Sequence, residues 1–141
     1  MQWLSSKTQN ACFALIELAK RHHNPSPVGL KTIAKEQQVS SQFLVQILSQ
    51  LKRAGLVKST RGSCGGYRLA LEPCDISLLD ILIAMEGETD APIDGTETPT
   101  ARVLFDVWLG LMEAQRQKLA GITLESLASR VESQSEDMYY I

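Results

Sequence analysis

Apolar residues recur at helical spacing in the first stretch of the chain, where Ala11, Leu15, Leu18 and Ala19 share one side. Ser6 stands three residues before Gln9, a capping-box pattern, so a first helix is predicted over residues 6–22. Asn24, Pro25, Pro27 and Gly29 then stop it and turn the chain. Leu30, Ile33 and Ala34 fall at i, i+3, i+4 and predict a second helix of about eight residues. Val39 and Ser40 interrupt that pattern. Ser40 can cap a third helix that buries Phe43, Leu44, Ile47, Leu48 and Leu51 and ends at Gly55, a residue suited to the left-handed C-terminal position.

After Gly55 the period changes. Residues 56–60 and 67–71 have strand-like composition and bracket the glycine-rich connection RGSCGG at 61–66, which predicts a hairpin with a flexible tip. Ser77 caps a further apolar helix (Leu78, Leu79, Ile81, Leu82, Met85) that Gly87 ends. Residues 88–98 read as an acidic loop. Thr98 and Pro99 start a long helix, because proline is preorganised for the first helical position, and Gly121 finishes it. Leu104, Phe105, Trp108, Leu111 and Met112 cover more than one stripe of that helix, so it is expected to pack on its own domain and on something else. Residues 123–133 read as a short helix and those after 134 as a mobile tail. The expected organisation is therefore a domain at 1–87, the loop at 88–98, the long helix at 99–121, and a short helix and tail at 122–141.

The 141 residues and 15.6 kDa suffice for one ordinary domain, or a small one with an oligomerisation element, and exclude a large multidomain enzyme. The longest apolar run, residues 11–16, is far short of the roughly 20 residues that cross a bilayer, and residues 1–8 lack a secretory start. A cytoplasmic protein with no membrane partner and with reduced thiols at Cys12, Cys64 and Cys74 is expected. Charge changes the picture more. Residues 1–71 carry +8 and the remainder −10, although the whole chain is only −2. Either the first half meets a polyanion or solvated faces happen to be segregated; charge alone does not choose.

Helix, helix, tight turn, helix and basic-tipped hairpin is the order of a winged helix-turn-helix domain, so the fold class is mainly α with a two-stranded wing. In such a domain the second helix of the pair offers short polar side chains to base edges and phosphates, and Ser40, Ser41, Gln42 and Gln46 stand there. Lys52 and Arg53 at its far end can approach phosphates or favour the helix C-terminus. Arg61 suits a narrow, electronegative minor groove. Gly62, Gly65 and Gly66 either allow close backbone approach or supply positive φ. Lys31, Phe43, Lys58 and Tyr67 complete the candidate DNA-binding set. No metal-ligand cluster, nucleotide loop or nucleophile–base pair has recognisable spacing, so no enzyme is expected.

Gln46, the segment KRAGLVKS at 52–59, Arg61-Gly62 and GGYRL at 65–69 together resemble the Rrf-two family of bacterial transcription regulators. The likeness continues through Ile76-Ser77-Leu78, Glu86-Gly87 and Ile122-Thr123-Leu124, and so spans nearly the whole chain. It implies a sequence-specific repressor acting as a homodimer on a pseudo-palindromic operator, with the long helix at 99–120 crossing its partner through Leu104, Phe105, Trp108, Leu111 and Met112. Members holding an iron–sulfur cluster carry three cysteines in the loop before that helix. Residues 88–98 contain none, so no cofactor is expected. Asn10 and Phe13 replace a usual tyrosine and arginine, and Val45 replaces a frequent glutamate. A carboxylate can accept from cytosine N4 and a valine cannot, so base tolerance should differ.

The signal is less legible. Cys64 lies near Arg61 and Arg68, which favour thiolate; it is either a redox switch or an incidental turn residue. Cys12 is expected in the core, with a redox role or a cluster shared across the dimer as alternatives. It lies roughly 15 Å from His22 along a helix, so the two cannot hold one metal ion within a chain. The acidic loop is either a solvated linker or a contact for a regulatory protein partner. A winged-helix module that binds only protein is the competing function.

Overall fold

The computed structural model describes residues 4–88 and 98–139. Each helix forms where an apolar stripe is preceded by a side-chain or backbone cap. Helix α1 (Ser6–Lys20) is capped by Ser5, whose Oγ accepts from the Thr8 N–H at 3.2 Å. The predicted Ser6–Gln9 box does not form: the Gln9 amide donates to the Leu4 carbonyl at 2.7 Å. The shift follows from tertiary contacts, because Thr8 is fully buried and its hydroxyl donates to Glu86 at 2.9 Å, with Ser5 donating to the same carboxylate oxygen at 3.0 Å. The helix also ends earlier than residue 22, and His22 turns to meet Glu72 at 3.1 Å.

Helix α2 (Leu30–Gln37) and helix α3 (Ser41–Arg53) are joined by the tight turn. Gln38 makes it by adopting φ 55°, a left-handed conformation uncommon outside glycine, asparagine and aspartate. Ser40 caps α3 as expected, accepting from the Phe43 N–H at 3.2 Å, and Gly55 follows the helix at φ 81°. Strands β1 (Val57–Thr60) and β2 (Gly66–Leu69) pair antiparallel in the register Val57↔Leu69, Lys58↔Arg68, Ser59↔Tyr67, Thr60↔Gly66. Val28, read from sequence as part of a turn, exchanges both backbone hydrogen bonds with Tyr67 (2.9 and 2.8 Å) and lies along the other edge of β2.

A 3-10 turn at Pro73–Asp75 leads to helix α4 (Leu78–Glu86), where Ser77 and Asp80 form a reciprocal capping box. Helix α5 (Pro99–Ala120) starts and stops where the sequence indicated, with the Thr98 Oγ1 accepting from the Ala101 N–H. The predicted short final helix and tail are corrected: helix α6 runs Leu124–Tyr139. Thr123 caps it, and the Leu78–Ile122 and Leu124–Ile76 backbone bonds hook its start onto α4. Leu124 and Ala128 are buried in the same core as Leu15, Ile33, Leu44, Ile47, Leu48, Leu51, Ile76 and Ile81. The C-terminal helix therefore belongs to the winged-helix body. Residues 89–97, the bulk of the expected acidic loop, lie outside the described residues.

Candidate nucleic-acid interface

Helix α3 divides its residues strictly. Leu44, Ile47, Leu48 and Leu51 are fully buried, while Ser41, Gln42, Val45, Gln46 and Ser49, at i, i+1, i+4, i+5 and i+8, form an exposed outward face. Two anchors hold that face. The Gln50 amide donates to the Ala84 and Met85 carbonyls (3.0 and 3.2 Å), which satisfies terminal carbonyls of α4. Lys52 Nζ donates to Ser59 Oγ at 2.7 Å, which ties the end of α3 to β1. Neither role proposed for Lys52 from the sequence included this link, because it depends on how the strand returns.

Of the other sequence-derived candidates, Lys31, Ser40, Arg53, Lys58, Arg61 and Gly62 are exposed. Ser40 presents its oxygen to the cap, and the N-terminal end of α3 it closes is a natural place for a phosphate. Phe43 is half-buried and packs against the core, as does Tyr67. Arg61 stands at the wing tip with no carboxylate partner among the described residues. Lys58 and Arg68 are cross-strand partners; like charges placed directly opposite repel, and an anion between them would relieve this.

The wing glycines have different reasons. Gly62 adopts φ 114°. Gly65 and Gly66 do not need positive φ; a Cβ on Gly65 would collide with the Thr60 carbonyl, and one on Gly66 with the Val28 carbonyl. Their close approach is to the protein's own backbone. Glu17, one of two acids in the basic half, is buried and paired with Arg21 (3.0 Å) and Lys20 (3.4 Å), and it accepts from the Gln37 amide (3.5 Å), which pins the end of α1 to the end of α2.

On α5 no residue is buried. Val103, Leu104, Val107, Trp108 and Leu111 form a continuous exposed apolar stripe, with Val103 66% and Trp108 51% exposed. Phe105 and Met112, grouped with that stripe from sequence, are half-buried. Met112, with Leu109 and Leu119, lines a groove of about 360 Å³ against Leu79, Leu82 and Ile83 of α4. Val103 and Val107 were missed, although their i, i+4 spacing with Leu111 is visible in the sequence.

The cysteines stand apart. Cys12 is buried and desolvation pushes its thiol up to about 11, which removes the thiolate that oxidation needs. Cys64 is exposed in the wing. Cys74, exposed beside the 3-10 turn, is raised by desolvation and then by Asp75 and Glu125. Among the described residues, no three His, Cys, Asp or Glu side chains form a set that could hold a metal ion, and residues 89–97 contain neither cysteine nor histidine.

A capped outward-facing helix after a tight turn, followed by a cationic wing, defines a winged helix-turn-helix DNA-binding transcription regulator. Residues 4–130 match the model of the Rrf2 family, described as an iron-dependent transcriptional regulator, and the chain belongs to that family. It is 38% identical to the HTH-type transcriptional regulator CymR of Bacillus subtilis (strain 168) over 98% of this chain and 99% of that one. The solved structure of CymR (YrzC), the global cysteine regulator of B. subtilis, superimposes with a TM-score of 0.78 at 39% identity, covering 92% of this chain and 98% of that one. T. potens IscR follows with a TM-score of 0.77 at 34% identity, covering 94% and 90%. Among the described residues no helix is long and apolar enough to cross a membrane.

Proposed function

We propose that two copies of this chain join through α5 and repress transcription by placing two α3 helices in successive major grooves of a pseudo-palindromic operator, each wing reaching a flanking minor groove through Arg61. The observation that carries this reading is the contrast on the surface of one chain: α5 leaves Val103, Leu104, Val107, Trp108 and Leu111 exposed together, while α3 exposes a mainly polar face flanked by cations. An apolar stripe on a 22-residue helix with no buried residue needs a covering surface, and a two-fold partner supplies an identical one. Base readout falls to Ser41, Gln42 and Gln46, and backbone contact to Lys31, Arg53 and Lys58. The reading includes a regulator that works without an iron–sulfur cluster, since the stretch before α5 lacks the three cysteines that the family's cluster-holding members carry there.

Selection of duplexes from a random pool by the purified full chain, with its mass measured in solution, tests the proposal. The expected result is a dimer that enriches an inverted repeat with half-sites about one helical turn apart. A monomer, or a pool that stays flat, overturns it. Iron and sulfide analysis of anaerobically isolated protein is expected to find neither.

A further inference from the structure

The outward face of α3 is polar except at one position. Val45 occupies the middle turn of that face, with Ser41 and Gln42 one turn before it, Gln46 beside it and Ser49 one turn after, and its side chain is 41% exposed. The residues that hold α3 in place, Leu44, Ile47, Leu48 and Leu51, lie on the opposite side. Val45 therefore adds little to the core, and as a β-branched residue it is a weaker helix former than alanine, glutamine or lysine would be there. Its branching has a use: one χ1 rotamer dominates in a helix, so its methyl groups are held in a fixed direction with little entropy left to lose on contact.

The floor of the major groove offers one apolar group, the C5-methyl of thymine, and otherwise only donors and acceptors. A valine cannot satisfy an exposed donor or acceptor and would leave it desolvated and unpaired. We infer that Val45 is a specificity residue that reads a thymine in each half-site through apolar contact with its C5-methyl group. The inference rests on the proposal that α3 enters the major groove. It assigns Val45 a base, where Ser41, Gln42 and Gln46 supply the hydrogen bonds to neighbouring ones.

The test uses the wild-type full chain and the duplex enriched from the random pool, with each thymine replaced singly by uracil, which removes only the methyl group. One position per half-site is expected to lose about fourfold in affinity, the worth of one methyl's burial, and about fifteenfold when both half-sites are changed. In Val45→Ala, whose single methyl is set back toward the helix, the same positions are expected to become less sensitive to uracil, while the remaining positions behave as in wild type. Tight, sequence-selective binding with no uracil effect at any position overturns the assignment of Val45 and leaves the DNA-reading proposal standing. Absence of any selective binding by the wild-type chain overturns both.

Discussion

Helices α3 and α5 lie on the same chain and solve opposite problems. The first commits Leu44, Ile47, Leu48 and Leu51 to the core and turns serine and glutamine outward; the second buries nothing and turns Leu104, Trp108 and Leu111 outward. A solvent-facing row of this size is costly on a lone chain, since each large apolar side chain gains roughly 1.5–3 kcal/mol when covered. The difference teaches that α3 is complete within one copy, whereas α5 leaves an apolar stripe uncovered on a single chain. On the proposed reading, DNA recognition at two half-sites depends on the helix that pairs the two readers as well as on the readers themselves.

The most severe way to break this pairing is to charge the apolar stripe. Trp108→Glu combined with Leu111→Glu should convert the proposed dimer to monomers, read as a halved mass by light scattering, without lowering the helicity of α1–α4. Operator affinity should fall by about 100-fold or more, because each reader then loses the effective concentration its partner gave it. A variant that stays dimeric would show that α5 is not the joining surface.

A smaller effect is expected from the wing. Arg61→Ala should weaken operator binding by about 1–3 kcal/mol and flatten the salt dependence, since a guanidinium in a narrow minor groove contributes both charge and shape recognition. Unchanged affinity in a gel-shift titration removes the residue from the interface. The substitution lies in an exposed loop with no ion pair among the described residues, so thermal stability should stay within about 0.5 kcal/mol of wild type.

What could be read in advance follows the range of the interactions involved. The stripe and cap of α3, the Ser77 start of α4 and the Thr98-Pro99 start of α5 are local patterns, and each is found in the structure. The structure departs from those local patterns where distant segments touch. Ser5 replaces Ser6 as cap because Thr8 is drawn inward to Glu86, 78 residues away. The last helix is anchored where Leu124 and Ala128 join the core, and it runs on to Tyr139, so no tail begins at 134. Gly65 and Gly66 are required by carbonyls of Thr60 and Val28, which no spacing rule reveals. On α5 the sequence shows two apolar stripes but not which one its own domain takes; Phe105 and Met112 are partly covered by their own chain, and Val103 and Val107 stay outside.

The finest test separates holding α3 from using it. Ser40 caps the helix through its side-chain oxygen, and Ser40→Ala should cost about 1 kcal/mol of stability in urea unfolding by leaving the Phe43 N–H without that partner. Ser40→Asp keeps an accepting oxygen and adds a negative charge that favours a helix N-terminus, so stability should match or slightly exceed wild type. The same charge opposes a phosphate. If the start of α3 faces the duplex backbone, Ser40→Asp should lose more operator affinity than Ser40→Ala while folding better, and the gap should shrink as salt is raised. Equal affinities for the two variants would mean that the cap points away from DNA and that α3 approaches the groove by another end.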